Sequence, residues 1–369
     1  MRFHPLVFLS LALLPVQAIP QVTITTLKEF SYHRPASIGE GAKIAFDNQF
    51  AYVSSPDGEV YRTPSLTPSS HLTQVYSART IAALNDTAGT LYVLAGIQEA
   101  PLGLPVPHSM VQSTNHGASF VPIDKGLKEC LFGYCQHLSS SELIAENNLL
   151  FVNAGAGRNL LVSDDLGDHW TALSGFVAGM VCTHSTFEIT GSTVLQGGEC
   201  PLDIAFIDRG TLLPNQQGWI PGGDLKPTGT PNLENRNVMT IKAQPGTDVR
   251  LAGAEGAVLR SIDDGKNFTY AFKNVPGEGT YPYVQHILFP SSSPSTPVIG
   301  GFDKATGEPY LAVSNDDGES WVKVSSLLPG CQSDAGVSDI AEDAQGRIII
   351  VVTDFCSQKV IVAQVTLDD

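Results

Sequence analysis

Residues 314–321 read SNDDGESW, and the pattern returns as SDDLGDHW at 163–170, SIDDGKNF at 261–268 and STNHGASF at 113–120. Reduced to residue types, the octet is Ser-x-Asp-x-Gly-x-x-aromatic. Each type has a mechanical use. Asp165, Asp263 and Asp316 can accept backbone N–H groups across a tight turn, and Asn115 keeps that capping oxygen in the fourth copy. Gly167, Gly265 and Gly318 can take the positive φ that closes it. Trp170, Phe268 and Trp321 then open the next strand with an apolar anchor. A turn that uses its polar groups to hold itself has none left for chemistry, so the repeat points to a structural device.

Strand patterns fill the spaces between octets. Three precede and one follows each copy, as in TIAALND, TLYVLAGI, HSMVQS and SFVPI between 80 and 123. Similar sets run from Glu142 to Leu173, Val238 to Lys273 and Tyr283 to Val324. Two sets with worn octets lie at 42–77 and 185–223. A last set, 337–365, has three strands, and VTITTLKEF at 22–30 supplies the missing fourth. The expectation is an all-β, seven-bladed β-propeller closed by pairing of its two ends, with six blades as the alternative if the set around Thr63 fails to form.

The octet is similar to the Asp-box, or BNR repeat, of sialidases, sortilin-type receptors and many secreted glycoside hydrolases. That resemblance implies an octet at the turn between third and fourth strands, away from the functional face.

The first 18 residues, MRFHPLVFLSLALLPVQA, have the charge, apolar run and small-residue ending of a secretory signal peptide, leaving 19–369 as one propeller domain. No later segment has the ~18 apolar residues of a membrane span. A secreted protein is expected, with Asn85 and Asn267 as glycosylation acceptors. The formal charge of −16, with no Lys/Arg cluster, opposes nucleic-acid binding. HExxH, Gly-x-Ser-x-Gly and calcium-hand spacings are missing, so neither cofactor nor metal is expected, and the chain is expected to be a monomer.

Six cysteines in such a chain imply disulfides. Blade register selects Cys182–Cys200, Cys331–Cys356 and Cys130–Cys135. All six fall on the face opposite the octets, as do the long connections 97–109, 125–141, 174–184, 221–237 and 274–283. Long loops stapled to a rigid scaffold are where function concentrates. On that face His137, His184, His286, Tyr283 and Glu278 are candidate catalytic groups, and Arg34, Arg79, Arg158, Arg236 and Asp303 candidate binding groups for a small molecule or glycan.

Three functions fit. The layout resembles a group of fungal secreted Asp-box proteins, one encoded in the trichothecene sesquiterpenoid toxin cluster. It implies binding or transformation of a small oxygenated molecule in secondary metabolism or host attack. A sialidase-like glycosidase would draw on Tyr281 or Tyr283 with Glu278 and the arginines, yet the family's Arg-Ile-Pro is replaced here by His33-Arg34-Pro35. The third is a non-catalytic propeller that binds peptide or glycan at its channel mouth.

Overall fold

The computed structural model describes residues 21–33, 41–77, 80–83, 89–94, 110–123, 143–146, 149–153, 160–165, 167–172, 183–200, 204–215, 218–221, 226–233, 236–277, 279–331 and 333–368. They form seven antiparallel sheets of four or five strands each. Blade 1 begins at Ile44–Phe46, blade 2 at Thr80–Ala83, blade 3 at Leu143–Glu146 and blade 4 at Thr183–Thr190. Blades 5, 6 and 7 begin at Val238–Ala243, Pro282–Leu288 and Ala335–Glu342. The set around Thr63 forms blade 1, so the six-bladed alternative is set aside. Blade 4 adds a short fifth strand, Lys226–Pro227, against its third.

The ring closes as the two chain ends require. Gln21–Ser31 pairs antiparallel along Lys359–Asp368, the third strand of blade 7, from Gln21 opposite Asp368 to Ser31 opposite Lys359. Ten backbone-paired positions supply the fourth strand from the opposite end of the chain and cover the edge of the third.

Among the described residues, seven apolar clusters hold the ring, one at each blade interface. The strand Ile348–Asp354 shows why both sheet faces must be apolar. Ile348, Ile350 and Val352 pack toward blade 6, while Ile349 and Val351 pack toward blade 1. The remaining clusters join blades 1 and 2, 2 and 3, 3 and 4, 4 and 5, and 5 and 6.

The first strands of blades 4 to 7 each carry a β-bulge, leaving Ser185, Met239, Gln285 and Ser338 as the extra residues. Beside three of these bulges a glycine takes the next blade's valine. A Cβ on Gly197, Gly253 or Gly300 would lie 2.7, 2.6 or 2.7 Å from Val238, Val284 or Val337 respectively. Glycine there lets neighbouring blades approach as closely as the axis demands.

The octets form one hydrogen-bonded turn four times. Ser113, Ser163, Ser261 and Ser314 donate from Oγ to Oδ1 of Asn115, Asp165, Asp263 and Asp316 at 2.9, 2.9, 2.8 and 2.7 Å. That Oδ1 also accepts the backbone N–H four residues on, from Ser119, His169, Asn267 and Ser320. The expected glycines have φ of 102° at Gly167, 74° at Gly265 and 81° at Gly318. The sequence reading did not anticipate that the residue before the glycine is also left-handed, at His116, Asp264 and Asp317. Its carbonyl, turned outward, accepts an arginine of the preceding blade: Arg62 to His116, Arg209 to Asp264 and Arg260 to Asp317. The turn therefore fastens blade to blade as well as strand to strand.

Candidate functional site

Antiparallel strand order puts the octets and the first-to-second hairpins on one rim. The second-to-third turns and the inter-blade connections share the other. Cys331 and Cys356 are disulfide-bonded on that second rim, as the register implied. Cys200, at the end of Thr193–Cys200, is also disulfide-bonded. Cys130, Cys135 and Cys182 lie outside the described residues, as do His137, Glu278, Arg34, Arg79, Arg158 and Asn85. His184 is placed by its backbone alone, opposite Gly198 in the first pair of blade 4 strands. Asn267 is exposed, its amide donating to Asp263 at 2.7 Å.

Four candidates gather between blades 5 and 6. Tyr283 is the second residue of the first strand of blade 6 and bridges Glu255, in the second-to-third turn of blade 5. Burial pushes the Tyr283 phenol well above its ordinary range, helped by the charge of Glu255, a hydrogen bond to that carboxylate, and the nearby Tyr281 and Glu199. The ring meets Phe302 at 5.0 Å and Tyr281, edge-on, at 5.9 Å between centroids. Tyr281 and Phe302 are buried, so Tyr283 offers the open edge of this aromatic row.

Arg236 and Asp303 support the row from behind. Arg236 is 2% exposed and donates to the carbonyls of Glu255 at 2.8 Å and Asn274 at 2.7 Å. Its guanidinium also lies over the Tyr281 ring at 5.6 Å. Gly256 permits this packing, because a Cβ there would meet Tyr281 at 2.3 Å and Arg236 at 2.7 Å. Asp303 is fully buried and accepts from the backbone N–H of Tyr281 at 3.0 Å and of Ala305 at 2.9 Å, capping the turn that positions Tyr281.

His286 sits deeper, at the propeller axis. Lys43 of blade 1 brings its ammonium within 3.5 Å of His286 Nε2 in blade 6, passing blade 7. Side chains from blades 1 and 6 can meet only across the axis. Asp339 of blade 7 lies 3.6 Å from His286 Nδ1, and Lys242 of blade 5 pairs with Glu188 of blade 4 at 3.5 Å. Lys43 fixes the tautomer: Nε2 accepts from the ammonium, so Nδ1–H faces Asp339. Burial, then the charges of Lys43 and Lys242, hold the His286 pKa well below its ordinary value. The ring is therefore neutral at neutral pH and resists protonation.

Glu255, Lys43, Lys242, Glu188 and Asp339 escaped the sequence reading. The axial four had a signal. Each adjoins apolar residues at the first strand of its blade, as in KIAF, FEIT, TIKA and DIA. A charge in such a run belongs to a strand edge that faces something other than core.

No family model matches the chain, and no curated protein matches it in sequence. Solved structures do resemble it. A structure of YCF48 bound to D1 peptide is 13% identical, with 96% of this chain and 99% of that chain covered and a TM-score of 0.58. YCF48 from Cyanidioschyzon merolae is 13% identical over 91% of this chain and 98% of that chain, at a TM-score of 0.56. A chain in the crystal structure of the mitotic checkpoint complex is 12% identical, covered 100% in both directions, with a TM-score of 0.60. At such identities the likeness shows the β-propeller fold and nothing of the site.

Proposed function

We propose that this chain is a secreted fungal propeller of secondary metabolism. It binds, and has the groups to transform, a small apolar molecule bearing oxygen functions, such as an oxygenated sesquiterpenoid of the trichothecene kind. The observation that carries the reading is the row of Tyr281, Tyr283 and Phe302, with the Glu255 carboxylate on the Tyr283 phenol. An apolar wall with few fixed polar groups suits a compact terpenoid. Tyr283 and Glu255 can fix a hydroxyl of the ligand. The resemblance to the trichothecene-cluster Asp-box group supports the same ligand class.

A sialidase-like glycosidase is the second reading, favoured by the Tyr283–Glu255 hydrogen bond, since that family pairs a nucleophilic Tyr with Glu. Against it, Arg236 spends both terminal nitrogens on backbone carbonyls and offers no carboxylate clamp.

The test is a thermal-shift panel of oxygenated sesquiterpenoids, sialic acid analogues, plant cell-wall oligosaccharides and peptides, run on the native protein and on Tyr283→Phe. A ligand at ~100 times its Kd adds about 2.7 kcal/mol. Stabilisation by terpenoids, weakened in Tyr283→Phe, is expected. Stabilisation by sugars or peptides alone overturns the reading. N-terminal sequencing of protein recovered from the culture medium tests secretion, with Ile19 expected first.

A further inference from the structure

The second strand of blade 4, Thr193–Cys200, buries a side chain that nothing around it satisfies. Gln196 is 1% exposed, and neither its Nε2 nor its Oε1 has a hydrogen-bond partner. The strands on either side, Thr183–Thr190 and Ile204–Asn215, take the surrounding backbone groups into the ladder. A buried amide left without donor and acceptor costs stability. Directly opposite Gln196 stand Phe187 on the first strand and Asp208 on the third. Asp208 is half-buried and, among the described residues, accepts no hydrogen bond. Val194, two residues before Gln196, packs with Phe151 and Val162 of blade 3, so this face of the sheet looks toward blade 3.

The charges of this region lie elsewhere. Arg209 and Lys226 share the opposite face of the sheet, where Arg209 holds Asp264. Glu188 also turns away, to Lys242. The strands of blade 3 packed here, Leu149–Asn153 and Leu160–Ser163, bring no titratable residue. By register, the titratable residues on the two facing sheet faces are His184, opposite Gly198 toward the second rim, and Glu146, opposite Leu149 toward the octet rim. Burial alone pushes the Asp208 carboxyl up to about 6.

We infer that Asp208, as the neutral acid, closes a two-bond pair with the Gln196 amide, a proton-gated clasp on the blade 3 face of blade 4. An ionised carboxylate only accepts, so it answers Nε2 and leaves Oε1 bare. The neutral acid both donates and accepts, as the amide does, and the two groups match bond for bond. Directly opposed side chains start about 5 Å apart at Cβ, within reach of an Asp and a Gln. Stability follows the proton. A carboxyl raised on folding contributes fully below its unfolded pKa of ~3.9, and the contribution is lost as pH rises through about 6. Acid therefore tightens blade 4. The inference stands apart from the function proposed above, because no ligand and no residue of the Tyr283 row enters it.

The experiment compares melting temperatures of the native protein and Asp208→Asn at about pH 5 and about pH 7.5. An Asn keeps one donor and one acceptor at every pH, so it stands in for the neutral acid while leaving His184 and Glu146 in place. The native protein should lose about 1–2 °C relative to Asp208→Asn between the two pH values. An equal difference at both overturns the inference. NMR titration of the Asp208 carboxyl carbon then separates the clasp from burial. Its midpoint should lie near 6 in the native protein and lower in Gln196→Met, where the hydrogen bonds to the neutral form are gone. A native midpoint in the ordinary carboxylate range, or one unmoved or raised in Gln196→Met, overturns the clasp. Should either variant fail to fold, the native protein decides alone: the Gln196 side-chain amide signals must titrate with the Asp208 midpoint, and signals that ignore pH overturn the pair.

Discussion

Arg209 of blade 4 donates from Nε to the backbone carbonyl of Asp264 in blade 5 at 2.8 Å, and from Nη2 to the carboxylate of the same residue at 2.5 Å. Asp264 also takes Arg250 Nη2 at 2.5 Å and Thr193 Oγ1 at 2.9 Å. One octet residue thus ties two blades by four donors. Asp264→Ala leaves the nearly buried Arg250 without its carboxylate and is expected to cost about 2–4 kcal/mol. Denaturant unfolding of Asp264→Ala, Arg209→Ala and the double variant checks this. A coupling energy near zero would refute the clasp.

Gly253 illustrates the steric side of the same interface. A Cβ there would lie 2.6 Å from both a methyl and the carbonyl oxygen of Val284, and 2.7 Å from Thr240. Two of those contacts are with side chains packed on both sides, so they have nowhere to move. Gly253→Ala should destabilise the protein by about 1–3 kcal/mol through overpacking. Gly246, with a φ of 73° but open space around it, is the control for backbone strain alone.

The octet carboxylates set an acid limit. Burial opposes their ionisation, yet donors from His169, Asn267 and Ser320 outweigh it and hold Asp165, Asp263 and Asp316 below the usual carboxylate range. A carboxyl depressed on folding stabilises the native state above its unfolded pKa of ~3.9 and loses that contribution as pH falls through the folded value. The contribution of these three carboxylates should therefore be level from pH 7 to about 5 and fall below pH 4. In Asp316→Asn the fall should be shallower, with a loss of about 1 kcal/mol at pH 7. Asn115 already shows that an amide can hold this turn. Urea midpoints measured across this pH range decide the matter.

The Cys331–Cys356 bond closes a loop of sequence separation 25. Its removal as a double Ser variant should cost about 3 kcal/mol, from the entropy returned to the unfolded chain. The comparison is best made by thermal unfolding with the remaining cysteines oxidised. An unchanged melting temperature would argue that blade 7 is already fixed by the paired termini.

The propeller and its closure were legible in the sequence. Octet spacing, strand period and the three-plus-one count of the terminal strands are local or additive properties, readable along the chain. The Cys331–Cys356 pairing was legible too, because blade register is a repeat property. What meets at the axis and at the mouth emerges from three-dimensional packing. Lys43 and His286 are 243 residues apart, and no periodicity links them. Glu255 reads in sequence as a solvated turn residue until blade 6 places Tyr283 against it. Arg236 and Asp303 read as ligand groups, and the packing turns both terminal nitrogens of Arg236 and one oxygen of Asp303 to backbone partners. A ring brings distant strands to one line, and which charges share that line depends on closure, strand register and the bulges that turn each side chain.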